Sequence, residues 1–229
     1  MNKAKLNTSR QAILGLVFLA VVVWLALFIP AGKLIYWQGW LYWIVFFSFV
    51  TTISLYFIRK DSGLISSRVK VGPTAETKRT QKISQVFAAI FFVLLLLIPP
   101  LDFRFGWSHV PFSLVLISDA FVAIGLVIIF LVFRQNTFAS AIIEVKTEQK
   151  VVSTGVYSIV RHPMYSGALL LLFFTPVALG SFWGLLAFFP LLAVICFRLS
   201  DEEKTLQVKL NGYEEYCKKT RYRLIPHIW

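Results

Sequence analysis

The sequence predicts an all-α fold: a polytopic membrane helix bundle of about five to six transmembrane helices, ending in a C-terminal helical hairpin. Three observations predict it. Hydrophobic residues make up 58% of the 229 and charged ones only 15%, where a soluble domain carries about a quarter. The apolar residues fall in runs of about 20, the length a helix needs to cross a hydrocarbon core. The charges, 23 basic against 11 acidic, gather in the segments between those runs. The net charge of +12 is therefore topogenic, and nucleic acid is not an expected partner; the lipid bilayer is.

Lys3, Lys5 and Arg10 precede an apolar run over residues 12–31. That run is long for a signal-peptide core and is read as an uncleaved first helix, broken by Pro30 and Gly32. The second run, 37–58, opens on an aromatic belt of Tyr36, Trp37, Trp40, Tyr42 and Trp43. Residues 59–82 are polar and carry Arg59, Lys60, Arg68, Lys70, Lys78, Arg79 and Lys82 against Asp61 and Glu76. This excess places the segment, and with it the N-terminus, in the cytoplasm.

The third run, 83–101, is closed by the pair Pro99-Pro100, and a short outer loop with Asp102, Arg104 and His109 follows. His109 has no ligand spacing around it and reads as a solvated loop residue. The fourth run, 111–133, contains Asp119. An acid within a span points to function by default, but this one lies about two turns from the outer interface, where a hydrated structural role is expected. Residues 134–160 return to the cytoplasm. Residues 168–197 are apolar but interrupted by G-S-F-W-G at 180–184, which makes them two short helices in a hairpin. An even number of crossings brings the C-terminus back to the cytoplasm, where its basic tail belongs. Cys196 and Cys217 have neither metal nor disulfide spacing and read as plain thiols.

Chemistry concentrates at the two ends of that hairpin. Residues 155–167 read G-V-Y-S-I-V-R-H-P-M-Y-S-G. Pro163 drives His162 out of the helical region and starts a new helix. Tyr157, His162 and Tyr165 then converge near a helix N-terminus, where unpaired N–H groups favour anions. An interfacial belt of Arg and Tyr would look the same. The far end carries R-L-S-D-E-E at 198–203, in which Arg198 and Glu202 share one helix face. Alone these are snorkelling charges at a helix exit; joined to the other end by the hairpin, they form a pocket between lipid and water on the cytoplasmic side.

The combination, continued by N-G-Y-E-E-Y-C-K-K-T-R-Y-R-L-I-P at 211–226, resembles the isoprenylcysteine carboxyl methyltransferase family, and membrane phospholipid methyltransferases are similar. The resemblance covers residues 134–229, a methyltransferase core. Residues 1–133, a four-span membrane region integrated with it, match only in being apolar. The resemblance implies S-adenosylmethionine as cofactor and a hydrophobic or lipid-linked acceptor carrying a carboxylate. It further implies that Gln149, Lys150, Val151, Val152, Tyr157, His162, Pro163, Met164, Tyr165 and Glu202 line the donor site. Arg198 would face the acceptor carboxylate and, with Glu202, form the catalytic pair. Glu144 stands about where the family places a Gln contact to the donor.

These roles make chemical sense. Tyrosine faces attract a sulfonium or stack on adenine. Glu202 accepts from an ammonium or ribose, and His162 with helix N–H groups holds a carboxylate. An acceptor carboxylate is already ionised at neutral pH, so it needs a dry site and an orienting cation rather than a base. An amine acceptor would ask Glu202 or Glu203 to act as base. Membrane sterol reductases also carry R-H-P-x-Y and use NADPH, but Met164, Ser166 and Gly167 stand where that class has an Asn and an acid. A scaffold or transporter would explain the spans without the polar motifs.

Overall fold

The computed structural model describes residues 3–61, 63–65, 79–138 and 149–229. Among them the regular elements are all helical: α1 (Lys3–Ala31), α2 (Trp37–Lys60), α3 (Arg79–Phe105), α4 (Phe112–Gln135), a 3-10 turn (Gly155–Ser158), α5 (Pro163–Ala178), α6 (Leu185–Lys209) and α7 (Tyr213–Lys219). The first four contain stretches long and apolar enough to cross a membrane. The 16 residues of α5 span about 24 Å at 1.5 Å per residue, and α6 is apolar only in its first half. Ile13, Leu14 and Phe18 on α1 and Ile83, Phe87 and Ile90 on α3 are exposed, as lipid-facing positions are.

The helices bury faces spaced three and four residues apart. On α4 these are Val115, Ser118, Asp119, Val122, Gly125 and Leu126, one stripe of a 3.6-residue period. The stripe packs against α5, where the two backbones meet at a pair of glycines. A Cβ on Gly125 would lie 2.7 Å from the Gly167 carbonyl oxygen, and one on Gly167 2.9 Å from that of Gly125. Small residues let membrane helices approach this closely. Phe121 stacks on Phe174 beside the crossing, with ring centroids 4.3 Å apart.

Two expectations are corrected here. The pair Pro99-Pro100 does not close the third run, because α3 continues through it to Phe105. Proline's fixed φ near −65° is compatible with a helix, and both side chains are buried within α3. Gly184 lets its segment approach both α3 and α5, since a Cβ there would lie 3.1 Å from Pro99 Cγ and 2.5 Å from Cβ of Pro176 on α5. The helix ends instead at Gly106, at φ +68°, whose N–H reaches the Asp102 carbonyl at 2.7 Å.

The second correction concerns the acids. Asp102 is fully buried in the last turn of α3 rather than in a loop. It accepts the Ser108 N–H at 2.7 Å, the Ser108 hydroxyl, and the Ser181 hydroxyl at 2.5 Å. It thereby clamps the 106–111 connection to the turn of the hairpin. Tyr36 adds a second tie at this end, donating to the Leu179 carbonyl at 2.5 Å. Asp119, expected to be hydrated, is 4% exposed, and neither carboxyl oxygen has a hydrogen-bond partner among the described residues. It lies on the buried stripe of α4, beside Tyr42 of α2.

Candidate functional site

The site is built outward from the end of α4. Gln135 Oε1 accepts the Val156 N–H at 3.1 Å and so fixes the 3-10 turn to the helix before it. Gly155 makes that approach possible. It sits at φ +59°, and a Cβ would come 2.2 Å from Gln135 Nε2, so a side chain there meets both strain and a clash. The next residue of α4's exit, Asn136, donates to the Tyr157 hydroxyl at 3.0 Å.

The chain then enters α5 as its proline predicts. His162 precedes the helix at φ −124°, ψ 61°, and Pro163 occupies the first turn. The C-terminal tail is strapped across this corner. Arg161 N–H donates to the Tyr222 carbonyl at 2.9 Å, and His162 N–H to the Arg223 carbonyl at 3.0 Å. The Ser166 hydroxyl donates to the Leu224 carbonyl at 2.6 Å.

Glu202 and Glu203 are consecutive on α6, so their side chains leave the helix about 100° apart and serve different partners. Glu203 is 3% exposed. Arg161 Nε donates to its Oε1 at 2.7 Å, His162 Nε2 lies 3.2 Å from the same oxygen, and Arg223 Nε makes a charge contact with Oε2 at 2.7 Å. The Tyr213 hydroxyl closes the group, 3.4 Å from His162 Nε2. Burial alone would push the Glu203 carboxyl up. His162, by hydrogen bond and charge, with Arg161 and Arg223 by charge, overcomes that and holds it below the usual carboxylate range.

Glu202 faces the other way. Tyr165 on the first turn of α5 donates its hydroxyl to Glu202 Oε2 at 2.7 Å, and the Arg198 guanidinium lies close enough to act electrostatically on the same hydroxyl. Arg198 and Glu202 thus both border Tyr165. Arg198 Nη1 also donates to Gln81 Oε1 at 3.0 Å, and Gln81 Nε2 donates to Asp201 Oδ2 at 2.6 Å. Gln81 is fully buried and ties the start of α3 to the polar half of α6.

The remaining expected residues divide. Val151 and Tyr157 pack against a small cluster of Leu210, Tyr213 and Tyr216, with Leu206 and Cys217 at its edge. Pro163 is buried, Gln149, Val152 and Met164 are half-buried, and Lys150 is exposed. His162 is buried with Nε2 turned toward Glu203, and so belongs to the ion cluster as well as to the corner. Glu144 lies outside the described residues. Sequence reasoning missed Gln81, whose partners lie 117 and 120 residues away. It also gave no part to Arg161 or Arg223 as partners of Glu203. The only hint of these was their place in the same two motifs.

Comparison with known proteins adds two likenesses. Residues 114–212 match the family model described as phospholipid methyltransferase. A segment is 32% identical over 109 residues to a Delta(14)-sterol reductase of Mus musculus, covering 42% of this chain and 25% of that protein. This chain thus spans about a quarter of that relative's length. The family match begins within α4, earlier than residue 134, and ends just before α7. It takes in the glycine crossing, the Gln135 tether, the α5 corner and Arg198–Glu203, and leaves out Gln81 and the tail.

Proposed function

We propose that the protein transfers a methyl group from S-adenosylmethionine to a carboxylate on a hydrophobic or lipid-linked acceptor, as isoprenylcysteine carboxyl methyltransferases do. The observation that carries this is the convergence of Tyr165, Glu202 and Arg198 where the apolar part of the hairpin ends. The phospholipid methyltransferase match over the same residues supports methyl transfer at a membrane. Residues 134–229 form the core in this reading, and residues 1–133 the membrane scaffold that supplies Gln81.

Gln149, Lys150, Val151, Val152, Tyr157, His162, Pro163, Met164, Tyr165 and Glu202 would hold the donor. Glu202, half-buried, fits an ammonium or ribose hydroxyl as a charge-assisted acceptor, and the ring of Tyr165 offers a face to a cation. When bound, the donor supplies an electrophilic methyl on sulfur. Arg198, oriented by Gln81, would hold one oxygen of the acceptor carboxylate and leave the other free to attack. No proton has to move, because a carboxyl with pKa near 4 is ionised at neutral pH.

The state of Glu203 narrows the base that an amine acceptor would need to Glu202. An amine must lose a proton, yet Glu203 is held below its ordinary range by three cationic or hydrogen-bonding partners, which makes it a poor base. The phospholipid match keeps an amine acceptor as the second reading, and the sterol-reductase likeness keeps an NADPH-dependent reduction as the third.

Purified protein in nanodiscs is given methyl-labelled S-adenosylmethionine and a membrane lipid extract. Label released as methanol by mild base marks an ester and supports the proposal. Base-stable label points to nitrogen, and NADPH consumption without label transfer points to reduction. Arg198→Lys keeps the charge but loses the planar guanidinium that can hold Gln81 and one acceptor oxygen together, so it should bind donor normally and turn over poorly. We place this end of the bundle, with both termini, at the cytoplasmic face, as the basic tail expects. A cysteine at exposed Lys218 should label only from inside, and labelling from outside contradicts the orientation.

A further inference from the structure

We propose that the turn formed by residues 225–229 is a membrane-interface contact that holds the C-terminal strap against anionic lipid headgroups. Its depth follows from one bond. Ser166 lies in the first turn of α5, immediately before the apolar residues 167–178, and its hydroxyl holds the Leu224 carbonyl at 2.6 Å. Leu224 is therefore fixed beside the start of the apolar stretch of α5, the level at which that helix would enter hydrocarbon, and the next residue is one Cα step, about 3.8 Å, away.

The turn that follows is compact, with apolar side chains outward. The N–H groups of Arg223, Leu224 and Ile225 all reach the Trp229 carbonyl, at 2.9, 2.9 and 3.1 Å, and Ile228 N–H reaches the Ile225 carbonyl at 3.2 Å. With its backbone closed on itself, the turn presents Ile225 at 51%, Ile228 at 77% and Trp229 at 38% exposure. The Arg223 guanidinium lies 5.2 Å from the Trp229 ring centroid. Two aliphatics and an indole displayed at headgroup depth match the side chains that populate a membrane interface. Exposed Lys218, Lys219 and Arg221 stand just before them, and basic residues beside an interfacial apolar contact favour anionic lipid.

The strap also carries the backbone bonds that fix Arg161 and His162, so the lipid surface supports the corner of the site from outside. A cysteine at position 228, in a chain with Cys196→Ser and Cys217→Ser, is labelled with an environment-sensitive fluorophore and compared with a label at position 218. In nanodiscs the label at 228 should emit blue-shifted light. A quencher on the upper acyl chain should quench it several-fold more than the label at 218. The shift should grow with anionic lipid and shrink with added salt. A photo-reactive amino acid at 228 in the otherwise native chain provides the second arm and should yield lipid adducts. Water-like emission with quenching equal at the two positions overturns the proposal, as do adducts confined to another protein chain.

Discussion

Glu202 and Glu203 are neighbours on α6 whose side chains meet different partners. Glu203 joins α6 to the α5 corner and the tail, so its loss should weaken the fold. Glu203→Gln leaves Arg161 and Arg223 without their shared anion, and should cost about 3 kcal/mol. That is the low end for a broken buried pair, because Arg223 is 36% exposed and turns to water. Thermal unfolding in detergent reads this directly. Because folding lowers the Glu203 pKa, its stabilising effect is complete above the unfolded value of about 4.3 and lost as pH falls through the folded value. The parent should therefore lose melting temperature on acidification below about pH 4, and Glu203→Gln should lose less. That Arg198 and Glu202 stand one turn apart on a single helix was legible in the sequence. The task of Glu203 was not, because its cations come from residues 161 and 223.

At the scale of elements, the hairpin and the corner at Pro163 were legible because proline and glycine dictate backbone geometry locally. The course of α3 was not, since Pro99-Pro100 reads as a stop, whereas proline's φ is itself compatible with the helix that continues to Phe105. The glycine crossing was also hidden, because Gly125 sits without a partner in an apolar run and Gly167 ends a motif valued for other residues. Gly167→Leu should force α5 off α4, with an overpacking cost of about 1–3 kcal/mol. Because Tyr165 lies two residues before the crossing, donor affinity should fall together with melting temperature. Unchanged affinity in a destabilised variant would show that the crossing does not position the site.

At the scale of the molecule, the polar ties among the described residues gather at two ends. One is clamped by Asp102, Ser108, Ser181 and Tyr36; the other holds Gln81, Arg198, Asp201 and Glu202 with the ion cluster of Glu203. Asp102→Ala should lower stability by about 1–3 kcal/mol, the cost of leaving buried hydroxyl donors unpaired, while donor affinity stays at the parental value. Composition and run length made the bundle legible. The ties between its ends were not, because each joins residues from distant helices and leaves no periodic trace. The central claim is that the end with Arg198 and Glu202 binds S-adenosylmethionine, and calorimetry on the protein in nanodiscs tests it most directly. S-adenosylmethionine and its demethylated product should bind and NADPH should not, and Tyr165→Ala and Glu202→Gln should each weaken binding by about tenfold to a hundredfold. Binding of NADPH alone, or folded variants that both bind the donor as the parent does, would contradict it.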